Sequence, residues 1–206
     1  METMFPMFVK LAGRMALVVG AGTVAEGKVE GLLDTGATIR VVATRATERI
    51  RDWARSGAIT FEQRAFASSD LDGAFLVVVA TSSASVNELV FREANARGVL
   101  CNVVDVPNLC DFFYPSVVRR GDLQIAVSTA GQSPSLAQKI RQQLERHFGP
   151  GYGEWVAELG RTRREILDSD LEADQKKALL QSLASREAFE AMRAAKRTLG
   201  SQGEAA

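Results

Sequence analysis

The 206 residues carry 25 basic side chains, 25 acidic ones and one histidine. No overall charge therefore points to nucleic acid or an anionic membrane, and any basic pocket has to be local. About 46% of the residues are apolar and 24% charged, the norm for a globular chain long enough for one domain and a smaller one. Two cysteines, Cys101 and Cys110, argue against a disulfide scaffold, no apolar run reaches the ~20 residues of a bilayer span, and the N-terminus lacks a signal-peptide pattern; a cytoplasmic protein is expected.

In chain order, residues 15–20 (MALVVG) form a short apolar run ending in glycine, a buried strand. Residues 24–34 place Val24, Ala25, Val29, Leu32 and Leu33 at helical spacing, and Gly36 follows as a stop. TIRVVA (38–43) reads as a second strand, 47–56 as a helix with Trp53 on its inner face, and ITFEQ (59–63) as a weaker third strand. AFLVVVAT (74–81) is the strongest strand. Residues 82–98 open on serines suited to N-capping, carry Val86, Leu89, Val90 and Ala94, and close on Gly98. VLCNVV (99–104) is the fifth strand, with Asp105 at its end. This alternation predicts a Rossmann-like, doubly wound parallel sheet with helices on both faces.

The pattern changes after Pro107. Residues 112–129 read as a hairpin joined at Arg119-Arg120-Gly121-Asp122, and 133–148 as a helix capped by Ser133 with Pro134 at its first position. Gly149-Pro150-Gly151-Tyr152-Gly153 is expected to break that helix. Residues 154–199 read as two or three charged helices whose few leucines and isoleucines cannot make a core alone, and 200–206 as a frayed tail. The expected plan is a dinucleotide-binding domain over 1–113, a small α+β segment over 114–150 and a C-terminal helical domain over 151–206.

Gly20-Ala21-Gly22-Thr23-Val24-Ala25 is G-x-G-x-x-A between a strand and a helix. Gly20 permits the tight turn, Gly22 lets backbone approach a pyrophosphate, and Ala25 keeps the helix close to the sheet. Backbone N–H groups at the helix start then meet the phosphates. The acid that usually holds the ribose at the end of the second strand is absent; Thr44 and Arg45 stand there, so the residues alone leave NAD against NADP open.

A parallel sheet brings residues 20–23, Thr81-Ser82 and 102–105 to one edge. Asp105 then falls near the reacting end of a dinucleotide, where a carboxylate can accept a proton while a hydride leaves the neighbouring carbon, or hold a divalent metal. The alternative is a turn residue capping backbone before Pro107. In AVSTAGQSPSLA (126–137), small and hydroxyl residues precede a helix N-terminus, a ready anion site, with Arg119, Arg120, Lys139 and Arg141 nearby. The alternative there is a solvated hairpin tip and helix face.

Together these stretches resemble the precorrin-2 dehydrogenases, including the N-terminal part of sirohaem synthases and the dehydrogenase/ferrochelatases. The likeness runs over about residues 5–148 and is carried by FPMFVKLAGRMALVVGAGTVAEGKVEGLLDTGA, VVVATSSASVNELVFREA and above all GVLCNVVDVPNLCDFFYPSVVRRGDLQIAVSTAGQSPSLAQKIRQQLE. It implies NAD-dependent oxidation of precorrin-2, an acidic tetrapyrrole, to sirohydrochlorin, followed in some members by Fe²⁺ insertion, with Co²⁺ as a further candidate. Asp105 falls on the family's essential aspartate, with roles in proton removal and, where it occurs, metallation. Thr23, Val24, Thr44 and Arg45 fall on the family's dinucleotide contacts, and they join Gly20 and Gly22 of the turn and Thr81 and Asn102 of the sheet edge as the expected dinucleotide-binding residues. Ser128, Thr129, Gly131, Ser133 and Arg120 are the implied tetrapyrrole contacts, with Thr129 standing where relatives commonly have serine. The resemblance also implies a homodimer that residues 115–148 knit together. Two other readings stay open on the residues alone: a dinucleotide-sensing regulatory module, or another small-molecule dehydrogenase on the same fold.

Overall fold

The structure is a computed structural model that describes residues 4–203, so the last three residues of the expected frayed tail lie outside the described residues. The chain divides into two compact units, Met1–Tyr114 and Pro115–Ala206.

In the first unit, β1 (Met15–Val19), β2 (Thr38–Val42), β3 (Thr60–Glu62), β4 (Ala74–Val79) and β5 (Leu100–Val103) form one sheet in the order β3-β2-β1-β4-β5. Every pairing is parallel. Val19 is level with Val42 on one side and Val79 on the other, and Val79 is level with Val103. The carboxyl ends therefore make one even edge. The strand order reverses at β1, which makes the crevice between the ends of β1 and β4 the topological switch point, where open α/β sheets bind ligands.

Alternate side chains face opposite sides of a strand. Ala16, Val18, Ile39, Val41, Leu76 and Val78 face α1 (Thr23–Leu33) and α2 (Glu48–Arg55), which contribute Ala25, Val29, Leu32 and Ile50. Leu17, Val19, Val77, Val79, Cys101 and Val103 face α3 (Ala84–Ala96) and the short 3₁₀ turn Ser68–Leu71, which supply Val90, Ala94 and Leu71. Burial on both faces is why these strands read as unbroken apolar runs. Thr47 and Ser83 cap α2 and α3, their hydroxyls accepting from the N–H of Ile50 and of Val86 at 3.4 Å.

The second unit opens with β6 (Ser116–Arg120) and β7 (Leu123–Val127), an antiparallel hairpin. Arg119 and Arg120 belong to β6, so the turn is only Gly121-Asp122, shorter than the sequence suggests; Gly121 takes the left-handed φ of 57° that it needs. Next comes α4 (Pro134–His147), with the Ser133 hydroxyl accepting from Leu136 N–H at 3.2 Å. Three further helices follow: α5 (Gly151–Asp168), α6 (Ala173–Leu183) and α7 (Arg186–Gly203).

The expected break after α4 shrinks to Gly149-Pro150, because Gly151, Tyr152 and Gly153 lie in the first turn of α5. The two glycines serve packing here. A Cβ at Gly153 would stand 3.0 Å from the Arg120 carbonyl carbon, and one at Gly151 would touch the Phe189 ring. Arg120 joins the hairpin to α4, its guanidinium donating to Phe148 O at 2.8 Å and Glu145 O at 3.2 Å. Hairpin and C-terminal helices thus form one unit.

Candidate functional site: a dinucleotide cleft and the turn after β5

After β1 the chain turns sharply at Gly20 (φ 110°), whose N–H donates to Val42 O at 2.9 Å. A Cβ there would lie 2.2 Å from the Ala80 carbonyl oxygen, so only glycine lets this loop lie against the end of β4. Gly22 is the N-cap of α1 and has no side-chain cap. The first bond of the helix runs from Glu26 N–H to Gly22 O, which leaves the N–H groups of Thr23 and Val24 without intrahelical partners. A Cβ at Gly22 would meet nothing within 4 Å. Unpaired donors beside open space at a helix start are what a pyrophosphate needs.

A cleft of about 630 Å³ opens over this loop. Gly20, Gly22, Thr44, Arg45 and Thr81 line it, with Arg64, Ser82 and Ser83. Thr23 and Val24 do not line it through their side chains; they offer the helix N-terminus. Thr81 also orders its own turn: its hydroxyl donates to Asn87 Oδ1 at 2.6 Å and accepts from Ser83 N–H at 3.2 Å. Arg64, also in the lining, is held by Glu62 and by Asp70, which is 1% exposed. The Arg64 hydrogen bonds hold the Asp70 carboxyl below the usual carboxylate range. Neither Asn87 nor Arg64 stood out in the sequence. Asn87 sits among apolar helix positions, and its only signal is being a polar residue on an inward face.

The turn after β5 is built with equal care. Asp105 sits at its apex in the left-handed region (φ 63°), an uncommon conformation that Asp tolerates better than most residues. The chain then doubles back, and Cys110 bridges antiparallel to Asn102. Asp111 pins the return, its Oδ2 accepting from Cys101 N–H at 2.8 Å and its N–H donating to Cys101 O at 2.7 Å. The Asn102 amide donates to Phe112 O at 2.7 Å. Asn102 is thus buried and engaged in holding the turn, and it is not among the residues lining the cleft. Burial pushes the Cys101 thiol up to about 12 and raises that of Cys110, so neither is a ready nucleophile.

Asp105 also stands outside the cleft lining, one strand further along the same edge, with its side chain exposed. Within its electrostatic reach lies a residue the sequence did not flag. Lys28 of α1 is half-buried, with its ammonium 4.1 Å from the centroid of the Tyr114 ring.

The anticipated tetrapyrrole contacts lie in the second unit. Ser128, Thr129 and Gly131 form the loop from β7 into α4, where Ser128 Oγ accepts from Ala130 N–H at 3.2 Å and Thr129 Oγ1 from Ser133 N–H at 3.1 Å. Ser133 is the α4 cap, and Arg120 is committed to the carbonyls at the other end of that helix. Arg141 pairs with Glu145 at 2.6 Å, which leaves less positive charge near this loop than the sequence suggests. His147 packs edge-on against Phe148, ring centroids 4.9 Å apart. Among the described residues, no group of three or more His, Cys, Asp or Glu side chains could hold a metal.

The fold, the glycine turn and the cleft define a dinucleotide-binding α/β protein. The chain belongs to the NAD(P)-binding family, whose model matches residues 7–116; a second model, sirohaem biosynthesis protein central, matches 120–147. The sirohaem synthase of Nitrosococcus oceani is 43% identical over 148 residues, covering 72% of this chain and 32% of that protein. Sirohaem synthase 1 of Serratia proteamaculans is 41% identical over 161 residues, 78% of this chain and 34% of that one. The chain spans about a third of the length of these curated relatives. A solved structure, SirC, precorrin-2 dehydrogenase, matches with a TM-score of 0.82 and 28% identity, covering 98% of this chain and 100% of that one. The family resemblance read from the sequence is met, and the first unit is an NAD(P)-binding domain. No described helix is long and apolar enough to cross a membrane.

Proposed function

We propose that this protein oxidises precorrin-2 to sirohydrochlorin with NAD as the acceptor, a step of sirohaem biosynthesis in the cytoplasm. The observation that carries the reading is a carboxylate fixed at the apex of a pinned turn, on the same sheet edge as the dinucleotide loop. Bound NAD supplies the hydride acceptor. The α1 N-terminus and Gly22 hold its pyrophosphate, and the cleft walls orient its ribose. Asp105 takes the proton that the tetrapyrrole releases as the hydride leaves, so one substrate molecule gives up one hydride and one proton. The hydroxyl-rich loop of Ser128 and Thr129, with Gly131, receives acidic side arms of the ring. Two chains form a homodimer. Fe²⁺ or Co²⁺ insertion follows at the same place: Asp105, having passed its first proton to water, takes the two pyrrole protons one after the other and releases each to water, and the ring itself supplies the nitrogens.

The test is anaerobic incubation with precorrin-2 and NAD⁺, followed by absorbance of sirohydrochlorin, and then addition of Fe²⁺ or Co²⁺. Appearance of the product spectrum is expected. Tight NAD binding without turnover would remove the enzyme reading and favour a dinucleotide-sensing module. Sirohydrochlorin production unaltered by added metal would remove the metallation step alone.

A further inference from the structure

Lys28 is not explained by the dinucleotide. It lies past the first turn of α1, one residue before the buried Val29, at the flank of the face that packs on the sheet. In a helix the Cα–Cβ bond leans toward the N-terminus, so a long side chain here reaches back toward the sheet edge where the strands end. Its ammonium stops over the face of Tyr114, a favourable placement for a cation. Burial lowers the Lys28 pKa; Asp105, the larger of two opposing influences, and Cys110 raise it. Among the described residues no carboxylate lies in ion-pair contact with the ammonium.

A half-withdrawn cation with no carboxylate in contact is under-compensated, and an anion that settled against it would be favoured. An aliphatic residue would cover the same surface with no charge to compensate. The substrate class proposed above is anionic, and it must approach a carboxylate, Asp105, that repels it. An ammonium within reach of that carboxylate offsets the repulsion, because opposite charges in contact attract more strongly in half-buried surroundings than in water.

We infer that Lys28 is a tetrapyrrole-anchoring residue: its ammonium, steered by the Tyr114 ring, receives a carboxylate side arm and so brings the ring to Asp105. This rests on the precorrin-2 reading. It predicts a residue whose loss weakens substrate binding and leaves chemistry and dinucleotide binding alone. The variants are Lys28→Met, which keeps the stem, and Lys28→Arg, which keeps the charge. Lys28→Gln serves if the methionine variant does not fold.

Two measurements are needed: anaerobic steady-state kinetics, and fluorescence titration with sirohydrochlorin, the product, which needs no turnover. Lys28→Met should raise the KM for precorrin-2 and the Kd for sirohydrochlorin about 5- to 20-fold, with kcat within about twofold and NAD affinity unchanged. Lys28→Arg should recover most of the loss, and added salt should narrow the gap between variant and wild type. An unchanged Kd and KM would overturn the anchor, as would a fall in kcat at constant KM. If the wild type binds sirohydrochlorin but does not oxidise precorrin-2, the dehydrogenase reading falls, while the anchor still stands or falls on the ratio of Kd values. A wild type that binds no tetrapyrrole overturns both.

Discussion

The two units of the chain are stabilised in different ways. The first has two continuous apolar clusters, one on each face of its sheet, with Leu17, Val18, Val41, Val77 and Val78 fully withdrawn from water. In the second, the buried apolar residues among those described are Val118, Ala137, Ile166 and Phe189. That unit relies on aromatic contacts, such as Tyr152 against Phe189 at 4.3 Å, and on the Arg120 bonds to α4. The difference teaches where precision resides. The first unit can place a loop and a turn rigidly because the sheet beneath them is over-determined. The second has a thin core and leaves Leu136, Leu167 and Leu171 exposed, which suits a segment completed by a partner subunit in the homodimer we propose.

The largest effect expected of any single change tests whether chemistry belongs to the first unit. Asp105→Asn should lower turnover by about 10²- to 10⁴-fold with NAD affinity intact, read by product absorbance and calorimetry. Retained turnover would move the chemistry elsewhere. Next comes the asymmetry of the cores. Leu17→Ala should cost about 2–5 kcal/mol in denaturant unfolding, and Leu179→Ala less than about 0.5 kcal/mol. Equal costs would erase the contrast.

A third change separates the cleft from its scaffold. Gly22→Asp should weaken NAD binding by tenfold or more, through clash and charge repulsion, with an unchanged melting temperature because its Cβ meets open space. A lowered melting temperature would mean that the loop is structural. The smallest effect concerns acid. The Asp70 carboxyl is held below its ordinary value, chiefly by Arg64, so its contribution is present above the unfolded pKa and is lost as pH falls through the folded one. The first unit should therefore lose stability below about pH 4, and Asp70→Asn should flatten that limb of the melting curve. An identical acid limb in the variant would show that other carboxylates govern it.

Much of the first unit was legible in the sequence because its signals are local. Apolar runs, capping serines and glycines at φ > 0 all state their meaning within a few residues, and so does Asp105 at the end of an apolar strand. What escaped notice depends on residues far apart in the chain. Lys28 acquires a role only once Tyr114 and Asp105 come back to it. Arg120 looked like an available cation until β6 set it against the end of α4. Gly151 and Gly153 read as helix breakers, yet Phe189 and the hairpin turn need the space a side chain would occupy. Asn102 shared an edge with the expected site, but its register points it at Phe112.

The left-handed backbone at Asp105 has a consequence for any test of the proposed chemistry. Asparagine enters that conformation at least as readily as aspartate, whereas alanine does so at a penalty of about 1 kcal/mol or more. Truncation to alanine would therefore change the carboxyl group and the turn together. Only the amide isolates the charge, and a weak alanine mutant would be no proof of acid–base chemistry.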